Sequence, residues 1–123
     1  YIYNEKQGTV PHATLGDHPW SWINALLNDG SKIAPQKPGA FVVTFGNEGR
    51  FTATTDCNTV AGNYVVEGSV ITFGEMISTK KFCEGSQESV FLKLLSDTQS
   101  FHFSSDGDLI FDLKFDSGTV LFK

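Results

Sequence analysis

The chain has 123 residues, 9 Lys+Arg against 14 Asp+Glu, 40% hydrophobic and 13% aromatic residues, and two cysteines. One core of ordinary domain size accounts for that length, and 19% charged residues with this apolar fraction exclude intrinsic disorder. A net charge of −5 argues against nucleic acid as a partner, and no apolar run approaches the roughly 18–20 residues of a membrane helix.

Eleven Phe, two Trp and three Tyr favour pleated, half-buried surfaces, and twelve Gly favour many turns. Residues 1–15 contain Gly8 and Pro11 and show no periodicity. They read as an N-terminal arm or linker, with room for an edge strand at Tyr1-Ile2-Tyr3. With no initiator Met, the chain is expected to begin inside a longer gene product. Residues 20–27 predict a strand with Trp20, Trp22 and Leu26 on one face. A short helix is the competing reading, since Trp22, Leu26 and Leu27 also fit helical spacing. Pro19 and Asn28-Asp29-Gly30 bound the segment.

A loop punctuated by Pro35, Pro38 and Gly39 follows. Phe41, Val43 and Phe45 then alternate with polar or outward positions, Gly46 to Gly49 turns the chain, and Phe51 and Ala53 return inward. This predicts a hairpin. A second hairpin joins residues 64–66 to 70–73 through Glu67-Gly68-Ser69. A helix is predicted over 86–97: the Ser86 hydroxyl caps its first turn, Gln87 and Glu88 suit the positive end of its dipole, and Val90, Phe91, Leu94 and Leu95 form its apolar stripe. Three short strands end the chain. Phe101 and Phe103 alternate with an outward His102, Ser105 to Asp108 turns, and Leu109, Phe111, Leu113 and Phe115 share a face while Asp112 and Lys114 point to solvent. Asp116-Ser117-Gly118 leads into residues 119–122. The expected fold is α+β: a mainly antiparallel, curled sheet with one main helix near 86–97 around a Phe-rich core.

Two blocks carry a resemblance. Asp56-Cys57-Asn58 followed by Gly62-Asn63-Tyr64 is similar to a G-C-N…G-x-Y segment, and Met76-Ile77-Ser78-Thr79-Lys80-Lys81-Phe82-Cys83 to an M-x-S-T-[RK]-x-x-C segment. Gly16 to Trp22 is similar to an opening G-x-x-W strand, and the helix with Glu88 and Phe91 follows the second block. From residue 16 to 123 the chain resembles the META/HslJ domain family. It departs in two places. Asp56 stands where many relatives have Gly, which suggests a left-handed conformation that Asp tolerates. Lys80 stands where Arg is common, so a bidentate pairing is lost there.

The resemblance implies a small β-rich domain of secreted proteins and envelope lipoproteins, some linked to heat shock and novobiocin resistance, with no established catalytic reaction. The function expected from it is a non-catalytic extracytoplasmic module, periplasmic, outer-membrane-anchored or secreted. Its role would lie in envelope stress or interaction with a protein or envelope partner. A monomer is expected, with a lipid anchor outside this chain as its membrane tether. The alternative is a small-ligand-binding or protease-inhibitor-like β-barrel domain.

Taken alone, Cys57 and Cys83 permit a disulfide, two buried thiols, or one reactive thiol with a partner. Their placement, at the end of a core strand and just before the helix, favours the disulfide, and the resemblance, in which the two travel together, points the same way. In the chain-entropy account a closed loop of about 27 residues stabilises by roughly 3.5 kcal/mol. Such a bond belongs to an oxidising compartment. A Cys nucleophile needs a nearby base. His12 and His18 lie in or next to the arm, His102 faces outward, and the spacing is not C-x-x-C.

Asp106-Gly107-Asp108 with Asp112 faintly suggests calcium but lacks the closing bidentate Glu, so a hairpin turn is expected. His12, Asp17 and His18 have neither the number nor the supporting shell of a zinc site. No metal and no cofactor is expected. Asn58 and Ser78 read as makers of structural hydrogen bonds, and Gly62, Tyr64, Met76 and Thr79 as motif residues that determine the fold. Lys80 and Lys81, in a polar segment ahead of Cys83, are the candidate recognition loop. No phosphate loop, G-x-S-x-G or H-E-x-x-H occurs.

Overall fold

The computed structural model describes residues 15–16, 18–79 and 81–123. The edge strand considered at 1–3, His12, Asp17 and Lys80 therefore lie outside the described residues. The strands are β1 (Trp20–Leu27), β2 (Lys32–Ile33), β3 (Val42–Phe45), β4 (Arg50–Thr54), β5 (Thr59–Glu67), β6 (Val70–Ser78), β7 (Thr98–Phe103), β8 (Leu109–Leu113) and β9 (Gly118–Phe122). One helix, α1 (Glu88–Ser96), separates β6 from β7.

Every pairing is antiparallel, in the order β1-β3-β4-β5-β6-β7-β8-β9, and β9 returns to pair with β1 from Trp22↔Phe122 to Leu27↔Gly118. Eight strands thus close into a barrel, and the two-residue β2 adds to the edge of β1 beyond β3. This corrects the α+β expectation. The sheet is not merely curled beside a helix; it closes on itself, and the nine-residue helix is an accessory to an all-β architecture. Closure abolishes most exposed edges. It rests on the meeting of the first and last strands, which no local pattern announces. Gly118 permits that seam, because a β-carbon there would run into the Leu26 carbonyl.

The lumen is filled by aromatic rings. Phe91 of α1 packs against Trp22 at 5.4 Å, Phe41 at 5.1 Å and Phe122 at 6.4 Å. The series continues through Phe122–Phe111 at 4.9 Å, Phe111–Phe73 at 5.7 Å and Phe73–Phe51 at 5.1 Å. Trp20, Trp22, Phe41, Phe51, Phe91, Phe111 and Phe122 are all fully buried. The Trp22 indole N–H has no acceptor, and its ring meets Phe41 at 89°. Helix α1 lies across the barrel end where β1 and β8 finish and β5 and β9 begin; its nine residues span about 13 Å.

Four local expectations change. A bulge between Trp22 and Asn24 shifts the facing of β1, so Ala25 is buried and Leu26 is 50% exposed. The helix runs 88–96 rather than 86–97, and Val90 lies off its buried face of Phe91, Leu94 and Leu95. Strand β8 stops at Leu113, and Phe115 is ejected to solvent by a one-turn 3-10 helix, Lys114–Asp116. Asp112 is half-buried and accepts from the Ser100 hydroxyl at 3.2 Å, with His102 Nδ1 at 3.1 Å.

Candidate functional site

The site is built where β4 ends, β5 begins and α1 starts. After Thr54 the chain turns through Thr55, Asp56 and Cys57. The Thr55 hydroxyl oxygen accepts the amides of Cys57 (3.0 Å) and Asn58 (2.9 Å), a local turn that side-chain oxygens of this kind stabilise. The hydroxyl proton points to Glu88 Oε1 at 2.6 Å.

Asn58 is the hub and is buried. Its Nδ2 donates to Glu88 Oε2 (3.0 Å) and to the Lys81 carbonyl (3.2 Å). Its Oδ1 accepts from the Thr79 hydroxyl (2.7 Å) and the Lys81 amide (3.0 Å). An amide side chain has two donor and two acceptor positions, so every one is used, and the orientation of the amide is fixed by that pattern. Its backbone N–H reaches Glu88 Oε1 at 3.0 Å. Glu88, the first residue of α1, therefore places its carboxylate at the positive helix end while accepting from the turn that precedes β5.

Asp56 does not take the left-handed conformation expected of it; it is not among the residues of positive φ. Its carboxylate accepts from the Ser86 hydroxyl (2.5 Å) and the Gln87 amide (2.9 Å), satisfying one backbone N–H at the helix start. Ser86 sits one position before the cap residue Gln87, and its oxygen accepts the Glu88 amide at 3.1 Å. Gln87 extends the clamp to the preceding loop, donating to the Ala34 carbonyl (2.9 Å) and accepting the Gln36 amide (2.8 Å).

A disulfide joins Cys57 to Cys83, with Cα atoms 5.8 Å apart. Cys57 Sγ lies 3.5 Å from the Lys81 carbonyl oxygen, a contact without a proton, since a bridged sulfur has none. Residues 81–83 are thus tied to the turn before β5, by both amide and carbonyl of Lys81 and by the covalent bridge. Held in that clamp are an exposed Lys81 and Phe82, which is 90% exposed. A shallow cleft of about 210 Å³ opens between Phe82, the two half-buried cysteines and Ser89.

The META domain profile matches residues 13–122. The chain belongs to the META domain family. Three solved structures share its fold. One, an NMR structure of a protein from Burkholderia xenovorans, is 20% identical over 99% of this chain and 97% of that one, with a TM-score of 0.73. Another, a DUF4847 family protein from Bacteroides vulgatus, is 15% identical over 92% of this chain and 96% of that one, with a TM-score of 0.70. No curated protein matches.

In this META domain the two sequence blocks meet in space at Asn58, Thr79, Lys81 and the disulfide. The other motif residues lie elsewhere. Gly62 stands at a bulge of the β5–β6 pair, opposite Met76, where a β-carbon would come within 2.6 Å of the Glu75 carbonyl and 2.9 Å of the Phe51 ring. Met76 is half-buried against the core, and Ser78 pairs with Val60 at the end of β6. Tyr64 is far along β5; its hydroxyl donates to the Gly46 carbonyl at 3.0 Å, its ring lies edge-on to Phe45, and burial pushes its pKa up. Sequence reasoning missed the roles of Thr55 and Asp56; a Thr and an Asp directly before Cys-Asn are turn and capping residues, and that was the available signal.

The remaining candidates are placed as follows. Asp106-Gly107-Asp108 forms the β7–β8 turn, with Gly107 at φ 87 and the Ser104 hydroxyl accepting the amides of Asp106 and Asp108. The His18 ring lies against Trp20, centroids 4.0 Å apart and tilted by 41°. Among the described residues no group of three His, Cys, Asp or Glu is arranged to hold a metal ion, and no helix is long and apolar enough to cross a membrane.

Proposed function

We propose that this META domain is a non-catalytic, extracytoplasmic interaction module, whose contact surface is the loop at Lys81–Phe82. The observation that carries the reading is the rigid presentation of that loop. A fully satisfied Asn58, a covalent bridge and the Asp56 and Glu88 clamps all converge on it, while its phenylalanine is left 90% exposed. A pre-ordered apolar anchor loses little freedom when a partner covers it. Lys81 beside it favours an acidic partner surface. The disulfide and the lack of a membrane-crossing helix among the described residues are compatible with a location outside the cytoplasm. A role in envelope stress, and a lipid tether beyond this chain, are parts of the same proposal.

The test is complementation of an envelope-stress phenotype in cells lacking the gene. Phe82→Ser and Lys81→Glu are expected to abolish rescue while the melting temperature stays within a degree or so. Full rescue by both variants would sink the reading.

A second reading, a small-ligand or inhibitor-like β-barrel, is favoured by the closed barrel itself. The aromatic series through the lumen leaves such a ligand only the outer clefts.

A further inference from the structure

The two ends of helix α1 border different surfaces. On its C-terminal side, Val90 and Leu94 of the helix, Leu27, Ile33 and Leu113 wall an apolar groove of about 300 Å³. Leu94 and Leu113 are its buried floor, and Val90 is 39% exposed at its edge. Asp29, Asp97 and Lys93 stand on the rim. Asp29 accepts the hydroxyl (2.6 Å) and amide (2.8 Å) of Ser31, which hold its carboxyl below the usual range and so keep it charged. Lys93 bonds Asp97 at 2.9 Å.

Directly beside the groove a knob projects. Leu113 ends β8 at the groove, Ser117 lines it, and between them the 3-10 turn throws out Phe115, 92% exposed with φ 60. Bulky side chains rarely occupy positive φ, and an aromatic ring gains nothing from water. The turn is nonetheless well fixed. Lys114 N–H donates to the Asp97 carbonyl (2.8 Å), Asn28 N–H to the Ser117 carbonyl (2.8 Å), and the Ser117 hydroxyl to the Lys114 carbonyl (2.6 Å).

We propose that a second copy of this chain covers this face, each copy's Phe115 seated in the other's apolar groove. A two-fold interface requires one patch to carry both halves of the match, and here knob and groove are neighbours. The charges correspond as well. Exposed Lys114 precedes the knob and Asp116 follows it, while the groove's rim offers Asp29 to the one and presents the exposed Lys93–Asp97 pair, already bonded to each other, to the other. Two phenylalanines burying roughly 150–250 Å² each fall short of the ~1,600 Å² of a standard interface. The dimer is therefore weak and concentration-dependent, and it departs from the monomer expected of the sequence. It does not depend on the Phe82 loop.

Sedimentation velocity of the full chain from about 10 µM to about 1 mM tests it. The wild type is expected to dimerise. Phe115→Ser removes the knob, and Val90→Trp fills the groove from an exposed position; each is expected to weaken association at least about tenfold with unchanged circular dichroism. Mixing the two variants restores association, because one knob still finds one open groove. A wild type monomeric throughout, variants that dimerise normally, or a mixture no better than its components would each overturn the proposal. So would a matching loss in Phe82→Ser, or a monomeric wild type that binds the apolar dye anilinonaphthalene sulfonate in the groove that Val90→Trp closes.

Discussion

The start and the finish of helix α1 solve the same problem in opposite ways. Both border a loop that leaves a phenylalanine at least nine-tenths exposed, Phe82 on one side and Phe115 on the other. At the start, side chains and a covalent bond hold the loop: Asn58, Glu88, Asp56 and the Cys57–Cys83 bridge. At the finish, backbone hydrogen bonds do the holding, and the turn carries two non-glycine residues, Phe115 and Asp116, at positive φ. The first end is fixed by residues that a sequence displays as a motif. The second is fixed by backbone geometry, which leaves little trace in residue type.

Removing the bridge is the largest blow to the first end. Cys57→Ala/Cys83→Ala is expected to lose about 3 kcal/mol, from the lost constraint on the unfolded chain, and urea denaturation of oxidised and reduced wild type beside the double variant measures it. A loss well under 1 kcal/mol would mean that the hydrogen bonds alone hold the loop. Asn58→Ala comes next, at about 2–3 kcal/mol, because Glu88 and the Lys81 amide lose partners in a half-buried setting. Loop 79–88 should also become cleavable by protease in that variant with the disulfide intact.

The other end responds with opposite sign. Phe115→Gly relieves the positive φ and is expected to stabilise the monomer by about 1 kcal/mol, read as a higher thermal midpoint in dilute solution. No gain would show that the turn carries no strain.

An effect of similar size lies away from both ends, at Tyr64. Burial raises its pKa in the fold. Its contribution is then complete below the unfolded value of about 10 and is lost as pH rises through the folded value, since the unfolded chain ionises first. Tyr64→Phe should cost about 1 kcal/mol at pH 8, from the lost bond to the Gly46 carbonyl. It should also flatten the alkaline decline. An identical decline in the variant would assign it to other groups.

Alternation of large apolar residues made most strands legible: Phe41, Val43 and Phe45, then Phe51 and Ala53, then Leu109, Phe111 and Leu113. These face the core because a pleated strand presents every second side chain to it. Alternation failed at Leu26 and at Phe115. A bulge changed the facing in the first case, and a left-handed turn ended the strand in the second, and both answer to the shape of the whole barrel. The motif blocks were legible as residues, yet the saturation of Asn58 was not, since its partners Glu88 and Thr79 come from 30 and 21 positions away.

The sequence by itself determined the strand-forming segments, the amphipathic helix ahead of β7, the aromatic core and family membership, because these depend on residue type and short-range periodicity. Only the tertiary structure decided that the sheet closes, that Asp56 caps a helix 31 residues on, and that Phe115 stands beside an apolar groove. Those outcomes depend on which distant backbone arrives alongside. That is set by the summed packing of all eight barrel strands, and no window of neighbouring residues contains it.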